Sequence, residues 1–398
     1  MRIVLGVTGG IAAYKATTII RQLTEAGHSV QVVPTQNALR FIGATTLEAL
    51  SHHTVDTDLY SDVADVKHVQ IGQNAELIII APATASFLAR YASGLADDLL
   101  GNTLLATKAP VLVAPAMHTE MWQHPATVAN VATLRARGVA VLDPASGRLT
   151  GQDTGQGRLP EADEIIAAAF KLLVPQDLAG RKIVITAGGT QEAIDPVRYI
   201  GNKSSGKQGL AIARAANARG AQVTLIGANI GEFSGEVFDF VSVVNAAELQ
   251  DAVETHLSAA DVLVMAAAVS DYRVQEVSDH KLKRGEIGDE INLHLVANPD
   301  ILRAAVTRIS AEKLSTVTVG FAAETAGSHQ TLLTLAKTKL TTKGCDILVA
   351  NDVSAGAIFG QDTTSVALVT RSGSSESFEG TKTFVADRIL DAVVTALA

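Results

Sequence analysis

Short apolar runs alternate along the chain with longer stretches in which apolar side chains recur at helical spacing. In the first half, the apolar runs predict β-strands at residues 3–7, 29–33, 77–81, 111–114 and 139–142. The stretches 11–26 and 125–137 between them predict helices. Gly27 and Gly138 stand where the C-terminal caps of these helices are expected. Such an alternation is typical of βαβ units around a parallel sheet, so we predict an α/β domain.

The alternation breaks at residues 144–160. This segment has four glycines, at positions 147, 151, 155 and 157, and few apolar residues. That composition predicts a mobile surface loop. A helical stretch at 161–173 closes the domain, and the short polar segment 174–180 that follows is suited to a linker.

The strand-and-turn pattern of the N-terminus restarts after this linker, where residues 181–189 repeat the order of a basic residue, an apolar run and paired glycines. Further strands are predicted at residues 223–226, 262–266, 291–296, 317–321, 347–349 and 366–369. Only the first βα turn of the two halves matches, so we interpret them as independent folds and not as a duplication. The predicted fold class is α/β, with two tandem Rossmann-like three-layer domains at residues 1–180 and 181–398.

Composition excludes several classes of protein. The chain has 398 residues, of which 47% are hydrophobic, and this is too apolar for an intrinsically disordered protein. Its 32 basic and 41 acidic residues give a net charge of −9, so we expect no nucleic-acid partner, which would need a basic surface. The single cysteine, Cys345, excludes an internal disulfide framework and a Cys-rich metal site, and it favours a cytoplasmic location.

We also predict that the chain has no membrane segment and no secretion signal. No apolar stretch approaches the roughly 18–20 residues that a spanning helix needs. The N-terminal residues superficially resemble a signal peptide, but Lys15 interrupts the apolar run. Residues 3–10 are better explained as a strand followed by a turn.

The turn after the first predicted strand has the paired glycines Gly9 and Gly10 and opens the first predicted helix. Glycines let backbone N–H groups approach a phosphate, and a helix N-terminus favours an anion. The turn lacks the full Gly-x-Gly-x-x-Gly dinucleotide fingerprint, and residues 34–37 offer no acidic side chain to hold a ribose. A mononucleotide is therefore favoured over NAD.

Three segments of the first half together resemble the flavin-containing cysteine decarboxylases. They are Gly-Gly-Ile-Ala-Ala-Tyr-Lys at 9–15, Ala-Pro-Ala-Thr at 81–84, and Pro-Ala-Met followed by Met-Trp within 115–122. The resemblance implies FMN as cofactor, His68 as the catalytic base, and Met117 and His118 as substrate-binding residues. The FMN site that it implies consists of Gly9, Gly10, Ile11, Thr35, Asn37, Thr84, Ser86 and Ala116.

Two positions depart from that family's pattern. His118 stands where family members commonly have an Asn that contacts the substrate carboxylate, and Thr150 stands where a cysteine usually protonates the ene-thiol. A Thr hydroxyl is a far weaker acid than a thiol. Two interpretations stay open: another group donates the proton, or the ene-thiol escapes before it is reduced.

The restarted half has a longer signature at residues 187–209. Its Ser-Ser-Gly-Lys segment lacks the residue spacing of a P-loop. The whole signature instead resembles the phosphopantothenate–cysteine ligases, which implies Asn202 and Lys281 as catalytic residues. It also implies CTP as co-substrate and Mg²⁺ to offset phosphate charge, although the sequence identifies no metal-binding residues. The CTP contacts that it implies are Asp271, Lys281, Pro299, Asp300, Ile301, Leu302, Phe321, Lys339 and Lys343.

The two resemblances cover nearly the whole chain and imply a bifunctional enzyme of coenzyme A biosynthesis. The second half would join 4′-phosphopantothenate to cysteine through an acyl-cytidylate, and the first half would decarboxylate the product to 4′-phosphopantetheine. Family members form trimers through the first domain and dimers through the second, which implies a homo-oligomer, a dodecamer. Three alternatives remain: an active ligase with an altered decarboxylase half, a two-domain NAD dehydrogenase, and a regulatory or binding protein built on an inactive flavin fold.

Overall fold

The computed structural model describes residues 1–55, 57, 66–148, 154–231, 238–284, 290–353 and 361–398. These residues form two compact units, Met1–Pro175 and Gln176–Ala398. Thr150, which the sequence singles out as a departure from the decarboxylase pattern, lies outside the described residues. Within the described ranges, no helix is both long enough and apolar enough to cross a membrane.

A parallel sheet forms the centre of the first unit. Its five strands are β1 (Arg2–Val7), β2 (Ser29–Pro34), β3 (Leu77–Ala83), β4 (Val111–Pro115) and β5 (Ala140–Val141). They lie in the order β2-β1-β3-β4-β5, and every neighbouring pair is parallel. All seven residues of β3 are buried, as expected of a sheet that is covered on both faces. The strand order reverses between β1 and β3, and ligands of such sheets bind at the carboxyl ends of the strands near this point.

Helices cover both faces of this sheet. The α-helices are α1 (Ala16–Glu25), α2 (Ala44–Ser51), α3 (Lys67–Asn74), α4 (Ala85–Ser93), α5 (Leu99–Ala106), α6 (Thr119–Trp122), α7 (Pro125–Ala136) and α8 (Ala162–Lys171), and 3-10 helices span Ile11–Lys15 and Ala38–Arg40. Alternate side chains of β1 enter two apolar cores. Leu5 belongs to the core shared with α1, α2 and α8, whereas Val4 belongs to the core shared with α4, α5 and α7.

The described residues on either side of 149–153 in the glycine-rich segment at 144–160 form strands, which the sequence pattern does not predict. They are β6 (Ala145–Arg148) and β7 (Thr154–Arg158), which pair as an antiparallel ribbon. The prediction of a mobile loop is therefore wrong for these residues. The pattern failed because strands rich in glycine and polar residues lack the apolar alternation that identifies a half-buried strand.

The second unit is built on a larger sheet. Its eight strands are β8 (Lys182–Gly188), β11 (Gln222–Ala228), β12 (Asp239–Val243), β13 (Val262–Met265), β16 (Val317–Glu324), β17 (Ile347–Asp352), β18 (Thr363–Thr370) and β19 (Ser375–Thr381). Their order is β12-β11-β8-β13-β16-β17-β18-β19. The pairs from β12 to β17 are parallel, and β18 and β19 add two antiparallel strands at one edge.

Five helices in the described part of the second unit cover both faces of this sheet. They are α9 (Lys207–Ala218), α10 (Ala246–Leu257), α11 (Ile301–Glu312), α12 (His329–Lys343) and α13 (Lys382–Leu397). Ile185 of β8 belongs to the core shared with α9 and α13, and the adjacent Val184 to the core shared with α10, α11 and α12. The predicted α/β fold class, with two tandem three-layer domains, is confirmed.

Two short antiparallel ribbons lie outside the main sheet of this unit. One pairs β9 (Gln191–Ala193) with β10 (Tyr199–Gly201), and the other pairs β14 (Tyr272–Val274) with β15 (Leu295–Ala297). The predicted strand at 291–296 is corrected to β15. The side chains of Ile291, Leu293 and Leu295 are exposed, so the apolar pattern here does not mark a strand of the buried sheet.

The boundary between the units lies after Pro175, upstream of the predicted boundary at residue 180. Leu178 explains the difference, because its side chain is fully buried in the core of the second unit. The buried Arg219 donates to Asp177 from Nε at 2.9 Å and from Nη2 at 2.6 Å, and to Asp391 from Nη1 at 2.8 Å. The predicted linker is therefore largely part of the second unit.

Candidate active sites

One hydroxyl group joins the carboxyl ends of β1 and β3. The Thr8 hydroxyl donates to the Pro82 carbonyl oxygen at 2.8 Å and accepts from the Thr84 N–H at 3.0 Å. Because Thr8 is buried, both hydrogen bonds are shielded from water. They fix the turn after β1 against the turn after β3, and both turns contain residues predicted for the FMN site.

The turn after β1 also fits closely against the residues that follow β2. A Cβ atom on Gly9 would lie 2.6 Å from the Asn37 Cβ and 2.8 Å from its carbonyl carbon, so a larger residue would displace the turn. Thr35 is buried, and its N–H donates to the Val7 carbonyl oxygen at 2.8 Å. Gly10 precedes the first 3-10 helix, and no described side chain caps that helix N-terminus. Within the described part of the chain, the first N–H groups of this helix therefore have no side-chain acceptor, an arrangement that suits an anion.

The remaining residues predicted for FMN lie at the same edge of the sheet. Thr84 caps α4 by accepting a backbone N–H of that helix at 3.3 Å, and Ser86 is exposed in its first turn. The Ala116 N–H donates to the Ala83 carbonyl oxygen at 3.1 Å. Ile11 is 68% exposed. All eight predicted residues thus follow the carboxyl ends of four neighbouring strands.

The ribbon β6–β7 lies directly against the segment that follows β4. The Met117 N–H donates to the Gly157 carbonyl oxygen at 3.0 Å. A Cβ atom on Gly157 would lie 2.1 Å from the Met117 carbonyl oxygen, and one on Gly155 would lie 2.3 Å from Oγ1 of Thr119. The approach of Gly157 to a backbone oxygen requires glycine, and a side chain at position 155 would displace that of Thr119. His118, predicted to bind substrate, lies between the two contacts and is exposed.

His68, the predicted base, lies in the first turn of α3 and is half-buried. The helix packs closely on α5, since a Cβ atom on Gly72 would lie 2.6 Å from the Thr103 carbonyl oxygen. Because α3 leads into the first residue of β3, its first turn is directed toward the carboxyl edge of the sheet. His68 is therefore on the side of the unit where the predicted FMN residues lie, and its catalytic role stays a prediction.

The second unit has a cavity of about 590 Å³ at the carboxyl ends of β13, β16 and β17. This volume is in the range of small-molecule sites. Of the ten residues predicted for the ligase site, nine line the cavity: Asn202, Asp271, Pro299, Asp300, Ile301, Leu302, Phe321, Lys339 and Lys343. The tenth, Lys281, does not line it and is exposed on the segment between β14 and β15.

Two lysines of α12 that line the cavity pair with carboxylates, of which Asp300 also lines the cavity and Glu324 does not. Lys343 Nζ lies 2.6 Å from Oδ2 of Asp300, and Lys339 Nζ lies 2.5 Å from Oε1 of Glu324. Asp300 has a second role, because its Oδ1 accepts the Arg303 N–H at 3.1 Å and caps α11. Both of these lysines, predicted to contact CTP, are thus paired with acidic side chains in the described structure.

Sequence reasoning missed a second basic group in this cavity, formed by Lys207 and Lys382. Lys207 begins α9 and lies 2.7 Å from the Asp362 carboxylate. Lys382 begins α13 and donates to the Gln361 carbonyl oxygen. Burial and the nearby positive charge of Lys207 lower the pKa of Lys382. A signal was present in the sequence, since Ser-Ser-Gly-Lys opens a helix even though it is not a P-loop.

Two family models match the chain, one for each unit. The model described as "Flavoprotein" matches residues 1–173. The model described as "DNA/pantothenate metabolism flavoprotein C-terminal domain" matches residues 178–397.

Curated relatives extend over the full chain. The chain is 53% identical over 406 aligned positions to the coenzyme A biosynthesis bifunctional protein CoaBC of Mycobacterium bovis (strain ATCC BAA-935 / AF2122/97), covering 100% of this chain and 97% of the relative. It is 42% identical over 374 positions to the protein of the same name from Haemophilus influenzae (strain ATCC 51907 / DSM 11121 / KW20 / Rd), covering 93% and 91%.

Solved structures match the units separately. The C-terminal domain of a coenzyme A biosynthesis bifunctional protein CoaBC is 32% identical, covers 56% of this chain and 98% of that chain, and has a TM-score of 0.46. A PPC decarboxylase mutant complexed with pantothenoylaminoethenethiol is 30% identical, covers 43% and 97%, and has a TM-score of 0.40.

Proposed function

The chain belongs to the family of bifunctional coenzyme A biosynthesis proteins, and from this premise we propose which reaction each unit performs and with which residues. It is an enzyme with a decarboxylase half and a ligase half, and its first unit is a flavoprotein domain. We assign the ligation of 4′-phosphopantothenate to cysteine to the second unit. We assign the decarboxylation of phosphopantothenoylcysteine to 4′-phosphopantetheine to the first.

One observation carries the ligase assignment: a single cavity gathers nine of the predicted residues at the carboxyl ends of the strands. A carboxylate is a poor electrophile and needs activation before an amine can attack it. In the proposed first step, a carboxylate oxygen of phosphopantothenate attacks the α-phosphorus of CTP, and pyrophosphate leaves. In the second step, the cysteine amine attacks the acyl carbon of the acyl-cytidylate, the amide forms, and CMP leaves with the bonding electrons.

The residues predicted for the ligase site divide between these two steps. Lys339 and Lys343 would exchange their carboxylate partners for oxygens of the triphosphate. Phe321 and residues 299–302 would contact the base and ribose. Lys281 would stabilise the charge that develops on the α-phosphate, and Asn202 would orient the acyl-cytidylate or its oxyanion for attack by the amine.

We propose that Mg²⁺ accompanies CTP and offsets its phosphate charge. Across the described ranges, no group of three or more His, Cys, Asp or Glu side chains could hold a metal ion. Phosphate oxygens would therefore supply most of its ligands. Among the residues that the structure describes, Asp271 and Asp300 are the acidic side chains that line the cavity.

The turns of the first unit fit FMN. Gly9 approaches Asn37 too closely for any side chain, and the uncapped helix start after Gly10 offers backbone N–H groups to a phosphate. When bound, FMN would supply the oxidation of the cysteinyl end that makes loss of the carboxylate feasible. His68 would remove a substrate proton. Met117 and His118 would bind the substrate, with their backbone held by the ribbon β6–β7.

The final proton transfer of the decarboxylase reaction depends on a group other than a thiol. Cys345 lies in the second unit, and the first unit has no cysteine. A Thr hydroxyl at position 150 is a weak acid. We propose that another group, directly or through water, donates the proton and completes the reduction. The alternative is an enzyme that ligates normally but releases the ene-thiol.

Mass spectrometry of the products formed from phosphopantothenate, cysteine, CTP and Mg²⁺ tests both halves. The proposal predicts 4′-phosphopantetheine, CMP and carbon dioxide in equal amounts. Accumulation of phosphopantothenoylcysteine would refute the decarboxylase assignment, an unreduced ene-thiol would support the alternative, and the absence of CMP would refute the ligase assignment. In the Asn202→Asp variant we expect the acyl-cytidylate to accumulate, and turnover without accumulation would refute the role of Asn202.

We further propose a cytoplasmic homo-oligomer, a dodecamer that combines trimeric contacts of the first unit with dimeric contacts of the second. Twelve chains of 41.4 kDa would have a mass of about 500 kDa in solution. Light scattering of the purified protein measures this mass. A monomer, a lone dimer or a lone trimer would refute the dodecamer.

A further inference from the structure

The hairpin formed by β9 and β10 connects two parts of the proposed ligase site. Asn202 follows β10 directly and lines the cavity. The turn at the other end of the hairpin contacts the segment that contains Lys281, where the Ser278 N–H donates to the Ile194 carbonyl oxygen at 3.0 Å. The hairpin therefore leads into Asn202, one proposed catalytic residue, and contacts the segment that contains Lys281, the other.

Asp195 is at the centre of this contact. Its side chain is fully buried. Its Oδ1 accepts the backbone N–H groups of Val197 and Arg198, each at 2.8 Å, which close the hairpin turn. Its Oδ2 accepts the Leu282 N–H at 3.2 Å. A single carboxylate thus holds two backbone segments that are far apart in the sequence.

Leu282 is held through both polar groups of its backbone. Its N–H donates to Asp195, and its carbonyl oxygen accepts from Nη2 of Arg198 at 2.6 Å. Lys281 is the preceding residue, and its side chain is exposed. The structure therefore fixes the backbone beside Lys281 and leaves its ammonium group accessible.

We propose that Asp195 is a positioning residue of the ligase reaction, which fixes the backbone of Lys281 relative to the hairpin that leads to Asn202. The inference rests on the function proposed above for Lys281. Asp195 acts on Lys281 through the Leu282 peptide group. Arg198, whose Nε lies 3.7 Å from Oδ2 of Asp195, donates to the Leu282 carbonyl oxygen, and Oδ2 itself accepts the Leu282 N–H. Since a displacement of about 1 Å at a catalytic group can lower a rate by about a hundredfold, loss of this hydrogen bond should reduce turnover more than it reduces nucleotide affinity.

The ionised form of Asp195 is the one that this role requires. Burial raises the pKa of Asp195, but the three backbone donors and the Arg198 guanidinium together lower it by more than burial raises it. All three backbone neighbours are N–H donors, so each needs an acceptor. The Asp195→Asn change is therefore confined to one oxygen: Oδ1 can still accept the two N–H groups of the turn, whereas an amide NH₂ would replace Oδ2, which faces the Leu282 N–H and the Arg198 guanidinium.

The test compares Asp195→Asn with Asp261→Asn in the full chain. Asp261 is a matched control, because its carboxylate also accepts a backbone N–H, that of Lys182 at 2.8 Å, and contacts Arg181 at 3.1 Å, but at the opposite edge of the sheet. Pyrophosphate release at saturating CTP should fall by about 10- to 100-fold in Asp195→Asn, with the KM for CTP changed by less than about threefold. Asp261→Asn should retain the wild-type rate.

Two further measurements identify the route of the effect. Trypsin should cut after Lys281 faster in Asp195→Asn than in the wild-type protein, since the following peptide group is released. If Asp195 acts through Lys281, the double variant Asp195→Asn/Lys281→Gln should be no slower than Lys281→Gln alone.

Unchanged pyrophosphate release in Asp195→Asn, or a fully additive double variant, would overturn the positioning role. A wild-type rate in Lys281→Gln would instead overturn the proposed function of Lys281, together with any positioning role that depends on it. Failure of the positioning role would thus be seen in Asp195→Asn, and failure of the proposed function in Lys281→Gln. The tryptic comparison tests the contact between Asp195 and Leu282 and does not depend on CTP.

Discussion

Replacement of Gly157 by Ala should separate the two activities of the chain. Gly157 lies in β7, and its carbonyl oxygen accepts the N–H of Met117, a residue proposed to bind the decarboxylase substrate. The substitution adds one methyl group at the contact between the ribbon β6–β7 and the segment after β4. It changes no charged or hydrogen-bonding side chain, so its effect reports the contact alone.

The structure sets the size of the perturbation. The new Cβ atom would lie 2.1 Å from the Met117 carbonyl oxygen, whereas real Cβ atoms essentially never approach within 3.0 Å. The ribbon must therefore move by about 1 Å, at an overpacking cost of about 1–3 kcal/mol. Loss of the hydrogen bond to Met117 adds about 1 kcal/mol. A total of about 2–4 kcal/mol shifts the ratio of docked to displaced ribbon by roughly 30- to 700-fold.

The assay uses the second activity of the chain as an internal control. We expect decarboxylation of supplied phosphopantothenoylcysteine to fall by at least about tenfold, while CTP-dependent pyrophosphate release is unchanged. Gly43→Ala is the matched variant, because nothing lies within 4 Å of its added Cβ and its φ is −71°. Wild-type decarboxylation by Gly157→Ala would show that the docked ribbon has no role in the reaction, and equal loss of both activities would indicate general misfolding.

Three other substitutions or modifications test separate features. Gly9→Ala should lower the flavin content of the purified protein, since the new Cβ would lie 2.6 Å from the Cβ of Asn37. Full flavin occupancy would contradict the proposed FMN site at this turn. Arg219→Met should lower the free energy of unfolding of the second unit by about 1.5–3 kcal/mol, less than for a fully buried pair because Asp177 and Asp391 reach solvent. The Arg219 hydrogen bonds lower the pKa of Asp177 despite its partial burial. The stabilisation by this ion pair is therefore present above the unfolded pKa of about 3.9 and is lost as the pH falls through the lower folded pKa. If the stability difference between Arg219→Met and the wild-type protein in urea stayed the same at low pH, the result would contradict this explanation. Burial raises the pKa of the Cys345 thiol to about 11, so iodoacetamide should label it only after unfolding, and rapid labelling of the native protein would contradict its burial.

The buried strands could be predicted from the sequence because of the way parallel sheets are covered. Helices on both faces require continuous apolar runs, and β3 and β13, in which every residue is buried, lie where such runs occur. Because the strands are parallel, the direction of the chain determines that their carboxyl ends lie at the same edge of the sheet. Residues that follow neighbouring strands are therefore expected at one edge of the sheet. The prediction of the nine ligase residues that line the cavity rests instead on the family resemblance, since two of them, Lys339 and Lys343, lie on a helix.

The ribbons could not be predicted in the same way. In β6 and β7 the determining feature is the absence of side chains, since Gly155 and Gly157 allow backbone contact with a segment more than thirty residues away. No local periodicity records such a contact. At 291–296 apolar side chains alternate as in a strand, but they are exposed. Hydrophobic periodicity predicts that one face of an element could be buried, but it does not show whether another element covers that face. The hydrogen bond from Leu282 to Asp195 spans 87 residues and has no sequence signature of its own.

If CTP binds as proposed, the two ion pairs of α12 make its binding an exchange of counter-ions and not a simple addition of charge. Each phosphate oxygen that bound Lys339 or Lys343 would displace a carboxylate, of Glu324 or Asp300. The displaced carboxylates then lie beside a polyanion, and the like charges repel. Any cation that relieves this repulsion favours the bound state. The Mg²⁺ dependence of CTP affinity would therefore include the protein's own acidic side chains as well as the phosphates, and it should become weaker when Asp300 and Glu324 are made neutral.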